Sequence, residues 1–275
     1  MMKKYVRMTL NERVQHLNLI INFAILVVTG FALKYSGATW TTPITDVPAG
    51  MTFRGLLHRL SGAAIVSLGL YHILYMFLTP RGRSLLVDLV PRWKDALDVW
   101  ETLKNNFFIN RPPKEIKMGR FSFREKFEYL GLVWGTAVMT VTGFILWLEV
   151  EWLKYFPRWT FDLFRAIHFY EAVLATLTIL VWHFYAVMLD PDVYPMSWAW
   201  ITGNISEHEM KLEHGLHLER LEAEERMKGS GSTEDLPTGQ QSMFAGEVNE
   251  ERTSVRRFTR RLREFNESMR NWRGT

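Results

Sequence analysis

Two histidines within one apolar stretch are the residues of this chain most suited to chemistry. The stretch RGLLHRLSGAAIVSLGLYHILYMFL begins at residue 54 and carries His58 and His72, fourteen residues apart. A helix turns about 100° per residue, so these imidazoles share one face about 21 Å apart along the axis. Gly62 and Gly69 fall on the same face. Glycine leaves room beside the backbone, which a flat cofactor would need.

A second apolar stretch contains another pair, His168 and His183, with Ala172 between them on roughly one face. The two stretches cross a membrane in the same direction, so His58 faces His168 at one level, and His183 lies at the other. Imidazoles opposed in a helical bundle have the geometry of bis-histidine haem iron. One zinc ion does not fit, because ligands about 21 Å apart cannot share it. The pattern predicts two haem b groups stacked across a membrane.

The residues alone leave the partner of His183 open. His16 stands in NERVQHLNLI, at the start of another apolar stretch and at the same predicted level. His72 is equally suitable by depth, because His72 and His183 lie at similar distances from the ends of their stretches. An isolated membrane histidine is often only a hydrogen-bonding residue between helices, but that explanation does not suit two pairs at matched depth.

Four apolar stretches, each long enough to cross a core of about 30 Å, predict an all-α integral membrane four-helix bundle. The segment 80–126 holds eleven lysine and arginine residues, and the N-terminal lead is also basic. The positive-inside rule therefore puts both termini and this segment in the cytoplasm. The predicted spans are about 14–34, 54–79, 126–148 and 163–189.

The spans belong to an expected haem-binding domain at residues 1–204. Apolar residues at helical spacing predict an amphipathic helix at about 91–108, lying at the inner membrane surface. Residues 205–275 are expected to form a charged cytoplasmic tail with a flexible linker at 228–246. The tail histidines, expected to be solvated because nothing nearby completes a metal site, are His208, His214 and His217.

Composition restricts the chemistry further. The chain has no cysteine, which excludes covalent c-type haem, a cysteine-ligated iron–sulfur cluster and a disulfide within it. Any such centre belongs to a partner. The formal charge of +4 comes from the loops and suits a membrane surface, and no nucleic-acid partner is expected.

Several ionisable residues accompany the histidines. Glu171, one turn after His168, could carry a proton or contact a haem, or else reach back to the membrane interface. Four arginines flank the two levels and could pair with haem propionates, although anchoring at the interface explains them as well. They are Arg13, Arg54, Arg59 and Arg165.

The first span, ERVQHLNLIINFAILVVTGFAL, resembles that of the cytochrome b (gamma) subunits of respiratory formate dehydrogenases and of related nickel–iron hydrogenase subunits. The exit WHFYAVMLDPDVYPMSWAWITGNIS is similar to theirs too, and the resemblance covers about residues 8–210. It implies that His58 and His168 hold an outer haem, and that His16 and His183 hold an inner one. His72 departs from the pattern, since hydrogenase relatives tend to have arginine there. We expect His72 to be a neighbour that contacts a propionate or a quinone, the alternative being that it replaces His16.

The resemblance also implies quinone chemistry, with menaquinone or ubiquinone as exchangeable substrate. It implies a periplasmic partner as well, either a multihaem cytochrome c or an iron–sulfur or catalytic subunit. The prediction is a di-haem electron-transfer subunit of a respiratory oxidoreductase complex, not a complete enzyme, in the inner membrane of a bacterium or archaeon. It would span that membrane several times and contact its lipid. The alternatives are a scaffold or transporter without redox activity, and a self-contained quinol oxidase with open-coordinate haem.

Overall fold

The computed structural model describes residues 3–107, 116–191 and 193–230, and the side chains within these ranges up to residue 226. The chain divides into two compact units, of which the first joins Met1–Thr79 to Arg124–Glu213 and the second joins Pro80–Phe123 to the chain from His214. Most of the predicted linker at 228–246 and everything after it lie outside the described residues.

The elements alternate long apolar helices with short connecting ones. In chain order they are β1 (Lys4–Val6), α1 (Leu10–Lys34), α2 (Thr42–Thr45), α3 (Gly50–Leu78), α4 (Pro80–Leu89), α5 (Trp93–Phe107), α6 (Phe123–Trp147), α7 (Glu149–Trp152), α8 (Arg158–Leu177), α9 (Ala199–Thr202), β2 (Asn204–Ser206), α10 (Glu207–Glu213) and α11 (Gly215–Ser230). Two π-helical segments, Thr178–His183 and Tyr185–Leu189, continue α8.

Four helices are long and apolar enough to cross a membrane, namely α1, α3, α6 and α8 with its continuation to Leu189. This confirms the predicted all-α, four-span architecture. Most of their large apolar side chains stay exposed in the isolated chain, as surfaces that contact lipid require. Orientation across the membrane stays a prediction from the loop charges.

α1 begins at Leu10, earlier than the apolar pattern suggests, because a capping box extends it into the polar lead. The Thr9 hydroxyl accepts a hydrogen bond from the Glu12 backbone N–H at 3.3 Å, and the Glu12 carboxylate accepts one from the Thr9 N–H at 2.9 Å. These two bonds satisfy N–H groups that a helix start leaves unpaired. Hydropathy does not detect this polar first turn.

α8 widens into π-helical turns from Thr178 onward, and His183 ends the first of them. A π turn holds more residues than an α turn, so the side chains after it lie further back around the axis. Fifteen regular α-helical residues would rotate His183 about 60° past His168. The wider turn reduces this offset, and both imidazoles contact the same face of α6.

The first unit, which contains the four apolar helices and is called the membrane unit below, has a short antiparallel sheet at one end. β1 pairs with β2 in the register Tyr5↔Ile205, and both of these side chains are buried. Arg7 forms an ion pair with Glu125 at 2.5 Å, which connects the N-terminal lead to α6. The lead and the chain after α8 are thereby fixed against the same end of the helices.

The second unit contains α4, α5 and α11. Arg120 pairs with the nearly buried Asp88 at 3.1 Å, and Lys117 pairs with Glu219 at 2.5 Å. The expectation that His214 is solvated is wrong, because its side chain is only 3% exposed and its Nδ1 lies 3.2 Å from the Gly119 carbonyl oxygen. The contact with Gly119, 95 residues earlier in the chain, accompanies the burial of His214. The charged residues around position 214 give no sign of such a contact.

A carboxyl outside the spans has a perturbed acidity. Burial raises the pKa of Glu213 to about 7, the carboxylates of Glu125, Glu209 and Asp190 add to this effect, and Arg124 opposes it. The folded protein therefore binds this proton more tightly than the unfolded chain, and the stability that the proton confers is lost as pH rises through about 7.

Above about pH 7, the buried carboxylate of Glu213 destabilises the fold. We expect Glu213→Gln to remove this destabilisation without changing the shape of the side chain. The variant should melt about 2–4 °C above wild type at pH 8 and show no advantage at pH 5, as measured by circular dichroism in detergent. The control Glu224→Gln, at an exposed position of α11, should change neither value. The same increase at both pH values would contradict the assignment.

Candidate functional site

One pair of histidines, His58 on α3 and His168 on α8, has ring centroids 6.4 Å apart. Each Nδ1 lies against a threonine of the neighbouring helix, at 2.8 Å from the Thr29 hydroxyl and 2.9 Å from the Thr142 hydroxyl. Each hydroxyl donates its own proton to the carbonyl four residues earlier in its helix, at 2.6 and 2.7 Å. Each threonine must therefore accept from Nδ1–H, which leaves the lone pair on Nε2, the form that binds a metal.

Two glycines make room for these imidazoles. A Cβ atom at Gly30 would lie 3.3 Å from Cε1 of His58, and one at Gly143 would lie 3.2 Å from Cε1 of His168. Each glycine directly follows the threonine that holds the same ring. The two Thr-Gly pairs thus fix both the orientation of the imidazole and its distance from the adjacent helix.

At the other end of the bundle, His16 on α1 faces His183, again with ring centroids 6.4 Å apart. His183 Nδ1–H donates to the Glu128 carboxylate of α6 at 2.9 Å. Nδ1 of His16 is buried and has no hydrogen-bond partner among the described residues. This end therefore has the same ring separation with a stronger acceptor behind one of the rings.

His72 lies at the same end, but both of its ring nitrogens are engaged. Nδ1–H donates to the Gln15 side-chain oxygen at 2.7 Å, and Nε2 lies 3.2 Å from the hydroxyl of Tyr129. Because the amide oxygen can only accept, the tautomer is fixed and Nε2 accepts from the tyrosine. One turn away, the Tyr75 hydroxyl donates to Glu12 at 2.9 Å, so a polar network surrounds this histidine.

The histidine pairs can be tested for their fit to a haem iron. A metal–imidazole bond of about 2 Å, plus about 1 Å from nitrogen to ring centre, puts two opposed rings about 6 Å apart. Both observed separations, 6.4 Å, fit this value. A Cβ atom at Gly62 or Gly69 would meet nothing within 4 Å, so the face of α3 between the two levels has open space. Within the described residues, no group of three or more histidine, aspartate or glutamate side chains is arranged around a bare ion.

Two arginines near the histidine pairs have a buried Nε without a hydrogen-bond partner in the part of the chain that the structure describes. Arg54 is only 9% exposed, and it donates to the Thr29 carbonyl at 2.9 Å through one terminal nitrogen, while its Nε has no partner. Arg13 donates to the Ile201 carbonyl and likewise has an unpaired buried Nε. Each stands about one turn before a paired histidine in its helix. At each end, a carboxylate of a cofactor bound there would satisfy the unpaired donor.

The other two candidate arginines are already engaged. Arg165 contacts both carboxylate oxygens of Glu149 at 2.6 Å. The guanidinium of Arg59 lies 5.8 Å from the ring centroid of Trp147, as in a cation–π contact. Charge and position in the sequence did not separate these residues from Arg13 and Arg54, because only the tertiary contacts distinguish them.

Sequence reasoning missed the residues behind the histidines, although a signal existed. TGFAL at 29–33 and TGFIL at 142–146 form a short repeat in α1 and α6. Gln15 and Glu128 each precede the threonine of their helix by fourteen residues. α1 thus bears the same relation to α3 as α6 bears to α8. Under this correspondence His72 matches His183, and Tyr129 matches His16.

Comparison with known proteins identifies the family of the chain. A family model described as prokaryotic cytochrome b561 matches residues 7–196, from the lead before α1 to the exit after α8. No curated protein matches the chain. The matched segment includes all five membrane histidines, and the opposed imidazoles suit the haem that b-type cytochromes carry. The chain therefore belongs to the prokaryotic cytochrome b561 family, the membrane b-type cytochromes that include the b subunits of hydrogenases and formate dehydrogenases.

Proposed function

We propose that the chain is a di-haem cytochrome b that carries electrons between membrane quinone and a redox partner on the periplasmic side. The family makes it a multi-pass, haem-binding electron-transfer protein of the bacterial inner membrane. The main support for two haems is the presence of two histidine pairs at opposite ends of the bundle, both with ring centroids 6.4 Å apart. Loop charges favour the His58 end as the periplasmic one.

The proposed ligands are His58 and His168 for one haem, and His16 and His183 for the other. When bound, haem supplies one-electron cycling of its iron between the ferric and ferrous states. The threonines behind His58 and His168 orient neutral imidazoles. Glu128 gives His183 more negative character, which favours the ferric state. The two ends should therefore differ in reduction potential.

His72 is proposed to serve the quinone and not the iron. Both of its nitrogens are engaged, and the Tyr129 hydroxyl donates to its Nε2. An imidazole and a phenol in hydrogen-bond contact can pass a proton to or from a quinone oxygen. Menaquinone and ubiquinone both have the carbonyl groups that this pair would recognise.

The partner is proposed to dock at the His58 end. The chain has no cysteine, so an iron–sulfur cluster or covalently attached haem must come from another polypeptide. A multihaem cytochrome c or an iron–sulfur subunit of a dehydrogenase or reductase would supply one. The family membership supports a partner within a redox complex, and the class of partner is part of this proposal.

The ligand assignment predicts which substitutions remove haem. Purified wild type should contain two b haems per chain, His16→Ala should contain one, and His72→Ala should keep two. The measurement is the redox difference spectrum together with the haem-to-protein ratio. Loss of a haem in His72→Ala with retention in His16→Ala would reverse the assignment. A folded wild-type protein without haem would refute the proposed function.

The unpaired donor of Arg54 predicts weaker haem binding when it is removed. A hydrogen bond to a charged group contributes about 1.5–3 kcal/mol, so Arg54→Gln should lower the affinity for the haem at the His58 end roughly tenfold or more. The rate at which haem transfers to excess apomyoglobin would measure the weaker binding as faster release. Arg59→Gln, on the same helix but stacked on Trp147, is the matched control and should release haem at the wild-type rate. Equal release from both variants would argue against a propionate at Arg54.

The proposed role of His72 predicts a selective defect. His72→Ala should slow reduction of the haems by a soluble hydroquinone at least about tenfold, because a positioned proton donor or acceptor typically contributes 10²–10⁴-fold. Reduction by dithionite should be unchanged. Tyr71→Phe, the adjacent position, serves as the control in stopped-flow absorbance. Slowing of both reductants to the same extent would indicate a disturbed haem instead.

A further inference from the structure

Glu171 places a carboxyl group within the membrane-spanning part of α8, and a neighbouring helix leaves space for it. A Cβ atom at Gly135 of α6 would lie 2.8 Å from Oε1 of Glu171, and Gly135 is buried. Any larger residue at position 135 would displace the carboxyl group. The side chain therefore lies against α6 and does not reach back to the membrane interface, so interface anchoring does not explain this residue.

The contacts of α6 show the depth of this carboxyl group. Thr142, Gly135 and Glu128 are spaced seven residues apart, which puts them on one face of α6. The first contacts His168, the second Glu171, and the third the imidazole at the other end. Along α8, Glu171 lies three residues, about 4.5 Å, after His168 and twelve residues, about 18 Å, before His183. Glu171 thus lies between the two histidine levels, with its backbone nearer to that of His168.

Charge is otherwise sparse between these levels. Arg59 is adjacent to His58 in sequence and is directed to Trp147 at the end of α6. Apart from it, Glu171 is the only charged side chain between the two levels on the four spans described. The tyrosines Tyr71 and Tyr170 are exposed. The titratable and charged groups bordering this interval are His58, His168 and Arg54 at one end, and His16, His72, Glu128, Tyr129 and His183 at the other.

The matching half of the bundle has no such acid. Three residues after His58, the position equivalent to Glu171 is Ser61, which is 4% exposed. The residue equivalent to Gly135 is Asn22, whose amide donates back to its own helix at Asn18. The carboxyl group is thus a feature of one half only, and the bundle does not need it for packing in the other.

We propose that Glu171 is a redox-linked proton site that compensates charge when electrons enter the haem pair. The proposal rests on the proposed di-haem function and deepens it. For each electron that a hydroquinone or the periplasmic redox partner would deliver to a bound haem, a carboxylate oxygen of Glu171 would bind one proton supplied by the aqueous phase, so no net charge would be added to the membrane interior. Oxidation returns both.

The physical basis is the cost of charge in hydrocarbon. A carboxylate between two ferric centres would be attracted to both, and most to the one held by His168, so reduction would remove part of that attraction. The interior offers no water and no counterion to replace it. Proton binding at Glu171 is then the nearest available compensation, because no other acid lies between the two levels in the described spans.

The test is a potentiometric titration of the purified holoprotein at a series of pH values between about 6 and 9. In wild type, the midpoint potential of at least one haem should fall with pH, by up to 59 mV per unit for one proton per electron. Glu171→Gln should abolish most of this slope. Ser61→Ala, the equivalent position of the other half, should keep it. A slope unchanged in Glu171→Gln, or absent from wild type, would overturn the proposal.

A second measurement on wild type protects the test against a variant that fails to fold. The infrared difference spectrum between reduced and oxidised protein should show a protonated carboxyl band that grows on reduction, and glutamate labelled with ¹³C should shift it. Gly135→Ala should move this band, because its Cβ would displace the carboxyl group. Absence of any labelled glutamate band would overturn the proposal. Failure of the proposed function would appear differently, as a protein that lacks two haems.

Discussion

A buried imidazole is oriented by the group that accepts its Nδ1–H, and three of the four paired histidines of this structure have such a group. His58 and His168 each meet a threonine on the neighbouring helix, and His183 meets Glu128. Each bond fixes the rotation of one helix against another and leaves Nε2 directed away from the contact. The register between α1 and α3, and between α6 and α8, thus depends on the same bonds that prepare the rings to bind iron.

The two halves use one arrangement with different results. In both, a Thr-Gly pair holds a histidine at one end, and a polar residue fourteen positions earlier holds a histidine at the other. The halves differ in the residue that faces the second histidine. His16 faces His183 across a gap of haem-iron size, whereas Tyr129 contacts His72 directly. One exchange of imidazole for phenol therefore separates a proposed metal site from a proposed proton-exchange site.

Charge is distributed along the bundle according to its cost. Arginines with unsatisfied donors stand near the ends, where a cofactor carboxylate can meet them and water is close. Between the two histidine levels, the described spans hold one carboxyl group, which lies against a glycine. A charge in hydrocarbon persists only where it has a function or a compensating partner, and the haems would supply that partner here.

The four-span architecture could be predicted from the sequence, because a run of about twenty apolar residues matches the thickness of a membrane and is too long for the core of a water-soluble domain. The sequence also determined the histidine faces, since helical periodicity is local. It could not determine whether His16 or His72 faces His183, because both have suitable depth and the choice depends on which helix packs against which. The π turns before His183, the burial of His214 and the unpaired Nε of Arg54 were decided by tertiary contacts alone. Each depends on atoms far apart in the chain, which no local pattern encodes.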